Sequence, residues 1–125
     1  MKKKAIANNY LKYLERGEIN NVIDLFTEDG IVHSPIYGIK NATEFYPLLN
    51  NDTSNSEFIL KGIFEHKNAN DLALYFTYKW TLKNNKKVEF DVVDIIEFNA
   101  ENKIKTLKII YDTVTARALI NELNT

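Results

Sequence analysis

Apolar residues recur with helical spacing near the start of the chain. Ile6, Tyr10, Tyr13 and Leu14 fall at intervals of four, three and one, which places them along one side of a helix. Gly17 follows, and glycine commonly ends a helix because it adopts the left-handed cap conformation. The pattern predicts a first helix that ends near residue 17 and packs its apolar side against a core.

A second helix and a short strand are predicted next. Apolar positions between residues 19 and 26 share one helical face, and Gly30 closes that segment. The spacing then changes to that of a strand over residues 31–33. Ser34 and Pro35 end this strand, because proline donates no hydrogen bond to a ladder and keeps the residue before it extended.

A third helix is predicted beyond a turn at Gly38. Asn41 and Glu44, three residues apart, resemble a helix N-cap and the acid that reciprocates it. Pro47 falls inside this segment, where proline removes a hydrogen bond and clashes with the preceding turn. We therefore expect a kink or two short helical pieces, followed by a polar loop over residues 50–56.

Four strand-like runs fill most of the remaining chain. They span residues 58–66, 72–82, 88–98 and 104–111. Their connections are short and rich in asparagine, which favours antiparallel hairpins. Asp112 and Thr113 then provide capping side chains for a final helix.

This order of elements predicts an α+β fold, as one domain over residues 1–125. Helices that precede an antiparallel meander pack on one face of its sheet. We expect a curved, mostly antiparallel sheet wrapped around the N-terminal helices. Such a cone-shaped, cystatin-like roll leaves an internal cavity at its open end.

Composition and charge exclude several classes of function. The chain has 16 basic and 17 acidic residues, so it lacks the positive excess that phosphate binding requires. It has no cysteine, which excludes disulfides, thiol nucleophiles and thiolate metal sites. No apolar run approaches the ~18 residues of a membrane span, and polar residues interrupt the segment after Lys4 that a signal peptide would keep apolar. We expect a cytoplasmic protein whose partners are neither nucleic acid nor membrane.

Asp94 is the most unusual residue of the predicted sheet. It lies in the middle of a strand, on the face that also carries Val92 and Ile96. Burying a carboxylate is costly unless it is paired. Asp94 therefore either has a structural role, bonding a backbone amide or sitting at a bulge, or it is a carboxyl that an apolar site keeps protonated so that it donates a hydrogen bond.

Three more polar side chains are candidates for a site. Tyr10 lies on the apolar side of the first helix, where a buried phenol needs a hydrogen-bond partner. His33 and Ser34 are adjacent in a strand, so we expect only one of them to face inward. No local pair that includes His33 or His66 has metal-ligand spacing, so we expect no metal site. No glycine-rich phosphate loop is present, and we expect no cofactor.

Several segments of the chain follow the pattern of one known superfamily. They are residues 9–29, the Val-His-Ser-Pro-Ile segment 32–36, and residues 44–46, 94–98 and 103–107. The sequence resembles the nuclear transport factor 2-like (NTF2-like) superfamily, and within it the ketosteroid isomerase and SnoaL-like polyketide cyclase group. The resemblance runs nearly end to end and implies the cone fold. It specifies chemistry less, because the superfamily hosts many unrelated activities and some proteins that are not enzymes.

The resemblance implies a site that binds a carbonyl oxygen. Steroid isomerases use a helix tyrosine and a protonated aspartic acid for this purpose, and those positions fall on Tyr10 and Asp94. Their aspartate base, which precedes a proline, falls on Ser34, whose hydroxyl is too weak a base without a helper. His33 substitutes for it if the strand turns its ring inward. Asp112 is the other nearby acid, although a helix cap is its simpler role.

The aromatic residues of the predicted sheet complete the implied pocket. By the same resemblance its walls are formed by Trp80, Tyr78, Phe90 and Tyr111, and its ligand is a small apolar molecule with a polar end. A homodimer is also implied, because the family often pairs through its sheets. Three functions stay open: an isomerase- or lyase-type proton-transfer enzyme acting on a small carbonyl compound, a non-catalytic module that binds a small hydrophobic ligand, and a structural homodimer whose cavity is a relic.

Overall fold

The protein, seen in a computed structural model that describes residues 2–125, combines helices with one sheet. The helices are α1 (Lys3–Glu15), α2 (Ile19–Ile23), α3 (Ala42–Asn51) and α4 (Val114–Leu123). The strands are β1 (Phe26–Ser34), β2 (Gly38–Asn41), β3 (Thr53–Glu65), β4 (Asp71–Leu82), β5 (Lys87–Phe98) and β6 (Ile104–Ile110).

The strands form a single curved, unclosed sheet in the order β2-β1-β6-β5-β4-β3. Strands β1 and β6 are parallel, whereas the other neighbouring strands are antiparallel. The meander of four long strands with helices before it confirms the predicted α+β architecture. Its hairpins turn at asparagines in the left-handed region, at Asn68, Asn85 and Asn102, because asparagine tolerates a positive φ.

The core lies between α1 and one face of this sheet. On α1 the buried residues are Ile6, Ala7, Tyr10, Leu11 and Leu14. Along β4 and β5 the even-numbered side chains point to the same interior, since successive residues of a strand alternate between two faces. Asp94 therefore shares a buried face with apolar residues, as the alternation predicted.

The second helix is shorter than the sequence predicted. It ends at Ile23, and Phe26 is the first residue of β1 instead of the last apolar position of the helix. Gly30 lies within β1, at an irregularity in the pairing with β6, where a side chain would meet the Phe26 ring at 2.8 Å. The glycine thus makes room for Phe26 in a strand and does not close a helix.

Two further boundaries differ from the prediction. The polar segment 50–56 is not a loop, because β3 begins at Thr53 and pairs with β4 from there onward. Strand β2 was missed, and it pairs with β1 through a tight hairpin in which Ser34 lies opposite Gly38.

Helix α3 is continuous through Pro47, so of the two expected outcomes, a kink or two short pieces, the division into two pieces was wrong. Proline removes the bond that a backbone N–H at this position would give to Thr43, and both residues are exposed. Water can therefore satisfy the free carbonyl. The helix begins after Asn41 as predicted, although the Asn41 side chain makes no capping hydrogen bond.

Candidate active site

A small cavity opens between α1, α3 and the concave face of the sheet. Its volume is about 50 Å³. It is lined by Tyr10, Leu14, Ser34, Tyr37, Phe45, Leu49, Phe58, Phe76, Tyr78, Trp80, Phe90, Val92, Asp94, Ile109 and Tyr111. One water needs about 10–15 Å³ of cavity volume, so the cavity has room for a few waters or for a compact organic group in their place.

The cavity-lining Tyr10 is hydrogen-bonded to a second tyrosine, Tyr46, which does not line the cavity. Tyr10 projects from α1 into the lining, and its hydroxyl lies 2.8 Å from that of Tyr46, which comes from α3 and is fully buried behind it. Either oxygen can donate in this pair. When Tyr46 donates to Tyr10, the Tyr10 proton is left free to point into the cavity.

Asp94 lies in the same cavity wall, and one of its carboxyl oxygens has no hydrogen-bond partner among the described residues. The residue is 2 % exposed, and its Oδ1 atom has no hydrogen-bond partner within residues 2–125. Burial raises the pKa of this carboxyl well above its usual value, because the low-dielectric surroundings disfavour the charged form. The structural alternative of a carboxylate bonded to a backbone amide is not seen at Asp94 Oδ1, which has no such partner within residues 2–125.

The two tyrosines respond to the same surroundings. Burial raises the pKa of the Tyr10 phenol well above its ordinary value, and a negative charge on Tyr46 or Asp94 would raise it further. Burial also raises the pKa of Tyr46, although its hydrogen bond with Tyr10 acts in the opposite direction. Burial therefore favours the uncharged, proton-bearing forms of Tyr10, Tyr46 and Asp94 beside this apolar space.

Ser34 lines the cavity and His33 does not. His33 lies on the other face of β1, half-buried between Ile39 of β2 and Lys108 of β6, which confirms that only one of the two side chains faces inward. The inward turn that would let His33 move a proton is therefore absent. The Ser34 Oγ atom accepts hydrogen bonds from the backbone N–H groups of Ile36, at 3.3 Å, and Tyr37, at 3.0 Å.

Tyr37 forms a second polar feature of the cavity. Its hydroxyl donates to Asp52 Oδ2 at 2.7 Å, and Asp52 follows the last residue of α3. Burial, and after it the hydrogen bond to Asp52, raises the pKa of Tyr37 well above the ordinary value for a phenol. Asp112, the other acid considered from the sequence, is not a lining residue and accepts a hydrogen bond from the first backbone N–H of α4 at 3.1 Å.

The four aromatic residues expected in the pocket all lie in its wall. The Tyr78 hydroxyl lies 2.8 Å from the Ser56 hydroxyl, and Trp80 donates from Nε1 to Thr53 Oγ1 at 2.8 Å. Phe90 and Tyr111 stack with their ring centres 4.4 Å apart. These contacts hold the rings in place, and whether they contact a ligand stays a prediction.

Sequence reasoning missed Tyr46, Tyr37 and Asp52. Tyr46 carried a signal, because it shares the inner face of α3 with Phe45 and Leu49. No local sequence pattern pointed to Tyr37 and Asp52. They lie 15 positions apart, and the pair forms only when β1 and α3 pack together.

Neither a metal site nor a membrane span is found in the described part of the chain. Among residues 2–125, no group of three or more histidine, aspartate or glutamate side chains is arranged to hold a metal ion. Within the same range, no helix is long and apolar enough to cross a bilayer.

Comparison with known proteins identifies the fold. Neither a protein-family model nor a curated protein matches the sequence. Among solved structures, an NTF2-like protein of unknown function from Burkholderia pseudomallei K96243 superposes with a TM-score of 0.82 at 15 % identity, over 96 % of this chain and 98 % of that one. The chain therefore has the NTF2-like fold that its sequence resembles.

Two further solved structures share this fold, one of an enzyme and one of a protein co-crystallised with an organic compound. SalBIII, an epoxide hydrolase/cyclase-like enzyme in pyran ring formation in the polyether salinomycin, matches with a TM-score of 0.77 and 15 % identity, over 88 % of this chain and 90 % of that one. TerC, co-crystallised with polyporic acid, matches with 0.80 and 15 % identity, over 95 % and 98 %. At this level of sequence identity the likeness shows a shared fold alone.

Proposed function

We propose that the protein binds a small, mostly apolar carbonyl compound in its cavity and moves a proton at the carbon next to the carbonyl, as an isomerase- or cyclase-type enzyme. Tyr10 and neutral Asp94 hold the oxygen. The proton leaves that carbon, its bonding electrons form an enolate, and the proton returns to another carbon. No oxidant, reductant or cofactor is consumed in such a step.

The observation that carries this proposal is the buried Asp94 Oδ1 atom, which has no hydrogen-bond partner among residues 2–125. A buried polar atom without a hydrogen bond is unfavourable, and such groups call for a functional or structural explanation. A ligand oxygen placed between Asp94 and Tyr10 would satisfy both donors. Donors that are fixed in advance at a site of developing negative charge stabilise a transition state strongly when water is excluded.

The surrounding wall supports the same class of ligand. Besides the polar groups, it is built from the apolar side chains of Leu14, Phe45, Leu49, Phe58, Phe76, Phe90, Val92 and Ile109. A compact ring with one carbonyl oxygen suits both the cavity volume and this lining. Two proteins of this fold are consistent with the proposal: SalBIII is an epoxide hydrolase/cyclase-like enzyme in pyran ring formation, and TerC was co-crystallised with polyporic acid.

A suitable test substrate is 3-cyclohexen-1-one, whose isomerisation to the conjugated ketone is followed by ultraviolet absorbance. Tyr10→Phe and Asp94→Leu should each lower kcat by about 10²–10³, the usual loss for one such donor. Asp94→Asn should lose less, because its amide still donates a hydrogen bond. Circular dichroism of each variant checks that the fold is kept. A wild-type rate equal to that of buffer, or full activity in both Tyr10→Phe and Asp94→Leu, would overturn the proposal.

One observation favours a second candidate, a binding module without chemistry. The Ser34 Oγ atom already accepts two backbone hydrogen bonds, so the residue at the position of the steroid isomerase base has no basic lone pair to offer. If the protein is a binding module, phenol should raise its melting temperature. The protein should then leave 3-cyclohexen-1-one unchanged after long incubation. Conversion of that ketone by the pure protein excludes this candidate.

A further inference from the structure

Tyr37 connects the cavity to a carboxylate outside it. Tyr37 lines the cavity, and its hydroxyl donates to Asp52 Oδ2 at 2.7 Å. Asp52 itself is not a lining residue and is partly exposed to solvent. A proton that reaches the Tyr37 oxygen from the cavity therefore has a defined acceptor on the side away from the ligand.

The backbone fixes both partners of this pair. The Tyr37 N–H donates to Ser34 Oγ, which holds the turn after β1, and Arg117 of α4 donates to the Pro35 carbonyl at 2.5 Å. The Tyr37 ring also packs edge-on against Phe45. Ser34 thus shapes the turn that carries Tyr37, although it occupies the position where the sequence pattern placed a base.

Asp52 is held equally firmly. Its backbone N–H donates to the last turn of α3, at the carbonyls of Leu48 and Leu49, and its own carbonyl accepts from Lys83 N at 2.9 Å. Because the Tyr37 hydroxyl donates its proton to Asp52, the Tyr37 oxygen keeps its lone pairs, and Tyr37 lines the cavity. A hydroxyl becomes an effective base when an adjacent base takes its proton, which is the helper that Ser34 lacks.

We propose that Tyr37 and Asp52 together are the base of this cavity. The proton of the reacting carbon passes to the Tyr37 oxygen while the Tyr37 proton passes to Asp52 Oδ2, and the electrons of the broken C–H bond form the enolate held by Tyr10 and Asp94. In the return step Asp52 gives its proton back to Tyr37, which protonates the second carbon. The pair ends in its starting state. This inference rests on the proposed function.

Other groups near the cavity do not provide this combination. His33 points away from the cavity, and the lone pairs of Ser34 are engaged by backbone N–H groups. The raised pKa of Tyr37 is also consistent with a relay, because the phenol stays protonated until a replacement proton arrives. A standing phenolate is not required.

Asp52→Asn is the sharpest test. Its amide oxygen can still accept the Tyr37 hydrogen bond but cannot take the proton. With 3-cyclohexen-1-one, Asp52→Asn and Tyr37→Phe should each lower kcat by at least about 10²-fold, the usual scale of general base catalysis. Asp52→Glu should recover part of the rate. Binding of phenol, measured by calorimetry with each variant, should change less than about twofold, since both variants keep Tyr10 and Asp94, the donors that hold the ligand oxygen.

Two variants outside the cavity serve as matched controls. Asp91→Asn removes a carboxylate that accepts from the Thr77 hydroxyl at the same distance, 2.7 Å, and that does not line the cavity. Tyr13→Phe removes a phenol of α1 that does not line it either. Both controls should keep the wild-type rate.

The outcomes separate this inference from the proposed function. If the wild type is active, Tyr10→Phe is impaired and Asp52→Asn or Tyr37→Phe keeps its rate, the relay is wrong and the proposed function stands. If Asp52→Asn loses phenol binding together with its rate, the pair is structural and the relay is wrong. If the wild type does not convert the ketone, the proposed function fails and the relay fails with it. Loss of rate in both variants with phenol binding retained supports the relay.

Discussion

Asp94 shows how burial inside this fold favours the neutral form of a single acid. Burial raises its pKa in the folded chain, and Oδ1 has no partner among the described residues that would compensate for ionisation. The unfolded chain therefore loses this proton at lower pH than the folded chain does. The stability contributed by the neutral acid is fully present below the unfolded pKa, near 3.8, and is lost as pH rises through the folded pKa.

Asp94→Asn should remove this pH dependence while keeping the shape of the side chain. We expect the free energy of unfolding of the variant, relative to wild type, to rise by about 1.4 kcal/mol for each pH unit in which only the unfolded Asp94 is ionised. Urea unfolding of both proteins between about pH 3 and pH 8 measures it. A difference that stays constant over this range would mean that Asp94 titrates alike in the folded and unfolded chains.

Residue positions were predictable where one local pattern decided them. The two-residue alternation of β5 was enough to predict that Asp94 is buried. Helical spacing was enough to predict that Tyr10 faces the core. No such pattern could pair Tyr37 with Asp52, because each lies beyond the end of its own element. Their contact depends on how a hairpin and a helix end are packed against each other.

At the scale of the elements, hydrogen bonds from polar side chains connect β3 to β4 and to α3. The Ser56 hydroxyl bonds that of Tyr78, and Thr53 accepts from Trp80 Nε1 while donating to the Leu49 carbonyl at 2.6 Å. These bonds explain why a polar segment forms the start of a strand. The sequence predicted a loop there because the partners that satisfy these hydroxyls lie on other elements.

Ser56→Ala should therefore destabilise the β3–β4 pairing by more than the removal of one small side chain would. The Tyr78 hydroxyl, on a residue that is 7 % exposed, is left without this partner. We expect a loss of about 1–3 kcal/mol in the free energy of unfolding, measured with urea. Adding Tyr78→Phe to Ser56→Ala should recover part of it, because no hydroxyl is then left unsatisfied. Additive losses in this double-mutant cycle would contradict the coupling.

At the scale of the whole molecule, the outer face of the sheet is the expected interface of a homodimer. It exposes large apolar side chains, with Ile59 at 45 %, Phe64 at 59 % and Ile110 at 48 %. Strand register places Phe64 beside Ala73 and Ile110 beside Val93, on the side away from the cavity. Its charges include the pairs Lys79–Glu57 and Lys105–Glu97.

Dimerisation through this face stays a prediction, and one pair of substitutions tests it. A net charge of −1 gives two copies little repulsion, and a two-fold pair would bring Phe64 and its neighbours out of water. We expect the wild type to sediment as a dimer and Phe64→Lys as a monomer. Val114→Lys changes a more exposed side chain, at 77 %, that lies on α4 outside the sheet, and should remain dimeric. A monomeric wild type, or a dimer that survives Phe64→Lys, would show that these apolar side chains do not form the interface.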